Sequence, residues 1–211
     1  MKIANALLCC VIGYALGNLN PAYLLGKRKG YDVRKDGSGN AGASNALILA
    51  GKAAFFVTAS VDILKAFLAC RLCRALFPDL LIAEQLGGTF CILGHMFPAV
   101  LHFRGGKGLA CLGGVILSWH WKAFLFLLLL AALIAFLTQY ICFVAPTISV
   151  IFPGLYYYKT SLLYCALVLL IPAAPIILKH VTNFRRIAEG TELRMRYLWD
   201  KDGELERAGG S

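Results

Sequence analysis

Long apolar runs recur along the whole chain, separated by short polar stretches. Seven of these runs are candidate spans, at about 4–25, 54–76, 81–101, 108–120, 122–140, 142–158 and 162–179. A helix needs about 20 predominantly apolar residues to cross the hydrocarbon of a bilayer. The fourth run is too short to cross alone as an ideal helix. It is either completed by flanking residues or forms a half-helix beside a protein-lined cavity. The pattern predicts an all-α integral membrane protein with seven transmembrane helices. Residues 1–195 read as a single transmembrane domain and 196–211 as a polar C-terminal tail, frayed at its AGGS end. Internal repeats and inverted symmetry between the halves are not evident.

Composition removes the soluble alternative. Of the 211 residues 59% are hydrophobic and only 15% charged, with a mean hydropathy of +0.71. A soluble domain carries about 25% charged residues, so there is too little polar surface here to cover a water-soluble globule. No signal-peptide cleavage pattern is evident, so the first run is expected to remain as a span. Eight cysteines are scattered through mostly apolar segments. Cys70 and Cys73 form one C-x-x-C without a second pair to complete a zinc site, so no metal is expected.

The net charge of +10 reads as cytoplasmic Lys and Arg rather than as a nucleic-acid surface. Lys27, Arg28, Lys29, Arg34, Lys35 and Lys52 fall in one loop, and Arg104 and Lys107 in another. The stretch from Lys179 onward adds Arg185, Arg186, Arg194, Arg196, Lys201 and Arg207. Seven spans put these three segments, with most of the 21 basic residues, on one face; six would scatter them across both. The N-terminus is therefore expected outside and the C-terminus in the cytoplasm.

That topology gathers three polar stretches: DGSGNAGASN (36–45), GHMFPAVLHFRGGKGLA (94–110) and KHVTNFRRIAEGTE (179–192). Gly37, Gly39 and Gly42 of the first match the G-x-G-x-x-G spacing of a dinucleotide turn. No β-α-β unit can be drawn around them, so a Rossmann reading fails. Ser38, Asn40, Ser44 and Asn45 offer hydroxyl and amide groups for loop capping or for phosphate. In the second stretch Gly105, Gly106 and Gly108 allow close backbone approach, Arg104 and Lys107 supply charge, and the next span aims its N-terminal N–H groups at the same place. An anion site and a glycine-rich turn with ordinary cytoplasmic charges both fit. In the third, His180, Asn183 and Glu192 are expected at the membrane surface after the last span. His95 lies in an apolar stretch and needs a polar partner. Asp62 and Lys65, three apart inside the second span, read equally as a structural ion pair or as a functional one of the kind transporters use.

Together these motifs resemble the bacterial acyl-phosphate:glycerol-3-phosphate acyltransferases, whose pattern runs GSGNxGATN, GHxFPxFxxFxGGKGVAT and RHxxNIxRLxxGxE. The chain offers GSGNAGASN, GHMFPAVLHFRGGKGLAC and KHVTNFRRIAEGTE in the same order, with a weaker echo of D-x-x-K-G at Asp62 and Lys65. The resemblance implies a seven-span enzyme of the bacterial plasma membrane, with its site facing the cytoplasm. It implies acyl transfer from an acyl phosphate to the 1-hydroxyl of glycerol 3-phosphate, giving lysophosphatidic acid and phosphate. Ser38, Lys107, His180 and Asn183 would be the catalytic residues. Gly39, Asn40, Asn45, His95, Arg104, Gly105, Gly106, Gly108, Cys142 and Glu192 would line the substrate site. No cofactor, metal, nucleic acid or obligate protein partner is implied beyond the two substrates and the bilayer. The chain departs from the pattern at Ile48, where the family has a phosphate-binding Arg, and at Cys142, where it has Ser. Cys111 stands for Thr and Ala66 for Gly. A member using another phosphorylated acceptor, or binding without catalysis, is the alternative these departures leave.

Overall fold

The computed structural model describes residues 2–209, which form ten α-helices and three short 3₁₀ turns, at Ala99–Leu101, Ile141–Phe143 and Met195–Leu198. The helices are α1 (Lys2–Gly17), α2 (Pro21–Arg28), α3 (Ala43–Leu76), α4 (Ala83–Met96) and α5 (Leu109–Trp119). They continue with α6 (Trp121–Thr138), α7 (Val144–Thr160), α8 (Leu163–Leu170), α9 (Ala173–Ala188) and α10 (Lys201–Arg207).

All seven apolar runs are helical, but several boundaries differ from expectation. The first run breaks before Pro21. Asn20 caps α2 by accepting from the Tyr23 N–H at 2.8 Å, with proline at the first helical position, where its missing N–H costs nothing. The helix of the second run, α3, starts eleven residues earlier than the run at 54 and is interrupted at Gly51 (φ 82°, ψ −174°), a conformation open to glycine. Part of the expected loop 26–53 is thus helical, and the DGSGNAGASN stretch ends on a helix start. The seventh run divides at Ile171–Pro172 and continues to Ala188, so His180 and Asn183 lie on a helix and are buried, not set at the surface after it.

Five segments are long and apolar enough to cross a membrane: Lys2–Arg28, Ala43–Leu76, Trp121–Thr138, Ile141–Thr160 and Leu163–Ala188. At a rise of about 1.5 Å per residue, the 14-residue α4 spans about 21 Å and the 11-residue α5 about 16 Å, both less than a hydrocarbon core of about 30 Å.

The short α4 lies at the centre. A Cβ on Gly13 of α1 would sit 2.2 Å from the carbonyl oxygen of Gly87, and one on Gly94 would sit 2.4 Å from that of Tyr14. The two helices therefore run side by side in the same direction, with backbones in contact. Small residues provide this closeness in bilayers, where apolar burial alone does not drive helices together. On its other sides α4 meets α3, α5 and α8, and Thr89 Oγ1 donates to the Val168 carbonyl at 3.0 Å. The outer helices present bare apolar side chains, α6 most of all, with Leu129 72% and Phe136 67% exposed; this is a lipid-facing surface.

The C-terminal segment is not frayed as far as Gly209. It folds into the Met195–Leu198 turn and α10, with Glu204 buried against the rest. Residues 210 and 211, the end of the AGGS tail, lie outside the described residues.

Candidate active site

The loop of residues 36–45 is built around Asn45. Its Nδ2 donates to the carbonyls of Val33 (2.8 Å) and Asp36 (3.0 Å), and its Oδ1 accepts from the Ser38 N–H (2.8 Å). Asn45, expected to line the substrate site, is buried, and its fully engaged amide ties the loop together. Gly37 (φ 62°) and Gly39 (φ 71°) adopt left-handed turns, and a Cβ on Gly37 would lie 2.3 Å from Asn45 Oδ1. Gly42 is the N-cap of α3. The spacing that resembled a dinucleotide turn is thus two tight turns and a helix start. Ser38 and Asn40 remain partly exposed and Gly39 exposed.

The glycines at 105 and 106 make close approach possible in another sense than expected. Their N–H groups do not wait for an anion: Gly105 donates to Met96 O (3.2 Å) and Gly106 to His95 O (3.1 Å). The loop is pinned onto the end of α4, and a Cβ on Gly106 would meet His95 Nε2 at 2.1 Å. The same glycine would bring a Cβ within 3.1 Å of the Ala41 carbonyl, so the two glycine-rich loops lie against each other. Lys179 of α9 closes the arrangement. Its Nζ donates to the carbonyls of Met96 (2.6 Å), Gly106 (3.1 Å) and Gly105 (3.3 Å) and lies over the Phe97 ring. Gly108 (φ 90°) then starts α5. The first-turn N–H groups of α5, from Leu109 to Cys111, have no acceptor within the helix and give that end its positive character. Arg104 stands exposed in the preceding turn.

Lys107 emerges from this loop into a short relay. Its Nζ donates to Asn183 Oδ1, and Asn183 Nδ2 donates to Glu192 Oε1 at 2.5 Å. The two charged ends fix which way the amide faces. Glu192 reaches back because Gly190 (φ 75°) reverses the chain after α9, and the Glu192 N–H then bonds the Arg186 carbonyl at 3.1 Å. Burial pushes the Lys107 ammonium below the ordinary lysine range, with Glu192 pulling the other way and Arg186 adding to the downward push. Buried Cys142, in the Ile141–Phe143 turn, is close enough to feel the charges of both Glu192 and Lys107. His180, one turn before Asn183, is buried and has its Nδ1 2.8 Å from the Ile176 carbonyl. A carbonyl can only accept, so Nδ1 carries the proton and Nε2 of the neutral ring is left as an acceptor.

Beneath the loop, the pair at Asp62 and Lys65 is one half of a larger cluster. Lys65 Nζ lies 2.6 Å from Asp62 Oδ1 and 3.0 Å from His95 Nδ1, and donates to the carbonyls of Leu19 (2.6 Å) and Gly17 (3.2 Å). Asp62, His95 and Cys111 bring possible metal-ligand atoms within 4.8 Å of one another, but the ammonium already supplies the cation at their carboxylate and imidazole. His95, expected to line the substrate site, is thus the link between this cluster and Gly106. The cluster also ties down the break between α1 and α2, and Asn20 in that break donates to the Ala41 carbonyl at 2.9 Å. The ion pair has a structural role, and the transporter reading loses its motive.

Comparison with known proteins agrees with this geometry. A family model described as "Glycerol-3-phosphate acyltransferase" matches residues 7–190. The glycerol-3-phosphate acyltransferase of Clostridioides difficile (strain 630) is 34% identical over 203 residues, covering 92% of this chain and 98% of its own. The chain belongs to the glycerol-3-phosphate acyltransferase family. Glycerol-3-phosphate acyltransferase 1 of Deinococcus radiodurans is 35% identical over 200 residues, covering 90% of this chain and 96% of its own. Among solved structures, PlsY (YgiH), an integral membrane glycerol 3-phosphate acyltransferase, superimposes in its glycerol 3-phosphate form with a TM-score of 0.80. The identity is 30%, over 92% of this chain and 96% of that one. Its lysophosphatidic acid form gives 0.79 at 28% identity.

Three features of the candidate site escaped sequence reasoning. Lys179 was visible only as a basic residue beside His180, yet it ties α9 to the glycine loop. Asn20 carried a local signal, an Asn-Pro start to a helix, that said nothing of its bond to Ala41. The contact of Lys65 with His95 joins residues 30 positions apart, and no local pattern announces it. Ile48, where the resemblance expects an arginine, is partly buried on the first segment of α3.

Proposed function

We propose that the protein transfers an acyl group from an acyl phosphate to the 1-hydroxyl of glycerol 3-phosphate, releasing lysophosphatidic acid and inorganic phosphate. The observation that carries this reading is the Lys107–Asn183–Glu192 relay, which fixes the ammonium of the lysine two residues before the start of α5. Both substrates bring phosphate, and a helix N-terminus with an adjacent fixed cation suits that group. Lys107, with the first-turn N–H groups of α5, binds phosphate. Ser38 and Asn40 supply a second polar wall, with Arg104 at the exposed rim. His180 Nε2 accepts from the attacking hydroxyl and orients it, and Asn183 keeps Lys107 in place.

An acyl phosphate is a mixed anhydride, so its acyl carbon is already activated. The glycerol hydroxyl oxygen attacks that carbon, the acyl C–O bond to phosphate breaks, and the departing phosphate takes the hydroxyl proton. Positioning and charge stabilisation suffice, and no acyl-enzyme is formed. Residues 1–195 act as one transmembrane domain of the bacterial plasma membrane. Its seven crossings include α4 and α5, with the N-terminus outside and the site facing the cytoplasm. The concentration of Lys and Arg at the site end supports that orientation.

The test uses purified protein in lipid, given glycerol 3-phosphate with either acyl phosphate or acyl-CoA. Lysophosphatidic acid and an equal amount of inorganic phosphate are expected from acyl phosphate alone. Equal or better use of acyl-CoA would overturn the donor assignment. No product from either donor, with a working relative as control, would overturn the activity. The second reading, a different phosphorylated acceptor, is favoured by Ile48, and the same assay with other phosphorylated polyols decides it.

A further inference from the structure

The match to the family ends at residue 190, yet the chain beyond it folds back onto the site. Glu204 of α10 is only 2% exposed. Its Oε1 accepts from the Arg194 N–H at 3.1 Å and from Arg207 Nε at 2.6 Å. The Arg207 guanidinium then reaches two carbonyls, Nη1 to Gly190 at 2.7 Å and Nη2 to Glu192 at 2.6 Å. Two further contacts come from the start of the segment: the Met195 N–H donates to the Gln139 carbonyl at 2.8 Å, and Arg194 Nε to the Tyr140 hydroxyl at 3.3 Å. The segment thus grips both the turn that presents Glu192 and the turn that leads to Cys142.

A seven-residue polar helix is not stable on its own, and a buried carboxylate is costly unless its partners hold it. Both facts need the docked arrangement. Glu204 organises Arg207, and Arg207 uses three of its N–H groups in fixed directions, which a lysine cannot reproduce. What it holds is the backbone on either side of the residue that orients the Asn183 amide.

We propose that residues 194–207 are a positioning strap for the phosphate site: Arg207, set by Glu204, clamps the Gly190 and Glu192 carbonyls and so keeps Glu192 against Asn183 and Lys107. The strap lies beyond residue 190, where the family match ends. The proposal rests on the role given above to Lys107, and the experiment separates the two.

Steady-state KM and kcat for glycerol 3-phosphate are measured on the full-length protein and on Arg207→Met, Arg207→Lys, Glu204→Gln, Glu192→Gln, Glu192→Gln/Arg207→Met and Lys107→Ala. Lys122→Ala, at an exposed position at the start of α6 outside the strap, serves as control. Arg207→Met and Glu204→Gln are expected to raise KM about ten-fold with a smaller change in kcat. Arg207→Lys should behave like Arg207→Met, because charge without the fork does not clamp. In the double variant Glu192→Gln/Arg207→Met, the second change should add little to the first, since Arg207 acts through Glu192. An unchanged KM in both Arg207→Met and Glu204→Gln, or full additivity in the double variant, overturns the strap. Unchanged activity in Lys107→Ala overturns the reading of the site, whatever the strap does. If Arg207→Met does not accumulate, Arg207→Gln and Glu204→Gln carry the same test.

Discussion

Lys107 combines three conditions that a phosphate-binding cation needs: a loop that fixes its backbone, an amide that fixes its direction, and a carboxylate that keeps it charged. Replacing it with alanine is expected to lower kcat/KM by about 10²–10³, the usual cost of deleting one charge-stabilising donor. Its titration gives a separate test. Burial favours the neutral amine, so the ammonium is lost as pH rises through a value below the ordinary lysine range. The alkaline limb of kcat/KM should therefore fall early, and Lys107→Arg should move it to higher pH while retaining part of the activity. Ile48→Arg should lower the KM for glycerol 3-phosphate, since a charge-assisted contact is worth about 1.5–3 kcal/mol; an unchanged KM would mean that the missing arginine is irrelevant here. At this scale the sequence singled out polar residues that the fold brings together, but not the partners each one takes. Asn45 and His95 stood out as polar groups in apolar or glycine-rich surroundings. Which partner each one took depended on the Val33 carbonyl and on Lys65, positions that spacing cannot bring together.

The apolar runs made each helix visible and left open how the helices meet. Gly13 and Gly17 on α1, and Gly87 and Gly94 on α4, show what the meeting requires. Gly13→Val would drive a side chain into the Gly87 carbonyl and should destabilise the bundle by about 1–3 kcal/mol or more, read as a lower melting midpoint in detergent. A midpoint equal to that of the unmodified protein would mean that α1 does not pack there. The buried ion pair makes a different prediction. Lys65→Met leaves Asp62 without its cation and should cost about 3–5 kcal/mol, whereas Asp62→Asn/Lys65→Met removes both charges and should recover much of that loss. Elements broke at Pro21 and Pro172, which the expected runs 4–25 and 162–179 had passed through. They ran past expectation where the signal was only a change of polarity: α9 continues beyond the expected end at 179 to Ala188, because helical pairing satisfies the backbone whether lipid or protein surrounds it.

The order of the basic loops argues for the molecule's orientation, while α4 and α5, at 14 and 11 residues, decide the number of crossings. If α4 and α5 dipped in and returned as a re-entrant pair, the loop between them would change location but every later loop would stay on its present side. Positive-inside counting over the whole chain is therefore nearly blind to the difference, and Arg104 and Lys107 are the residues that feel it. Single cysteines resolve it in a Cys10→Ser background, since the other native cysteines are buried. Lys35→Cys should react with a membrane-impermeant maleimide only in inside-out vesicles, and Asp79→Cys and Lys122→Cys only in right-side-out ones; all three positions are exposed. Arg104→Cys then decides the count. Reaction from the same side as Lys35→Cys means that α4 and α5 both cross, each made long enough by the polar turns at its ends. Reaction from the Asp79 side, or from neither, means that five segments span and the central pair is enclosed by them. The glycine seam favours the first outcome. α1 runs beside α4 in the same direction over residues 13–17, so the end of α4 that carries His95 and Met96 lies at the level where α1 breaks and α2 begins.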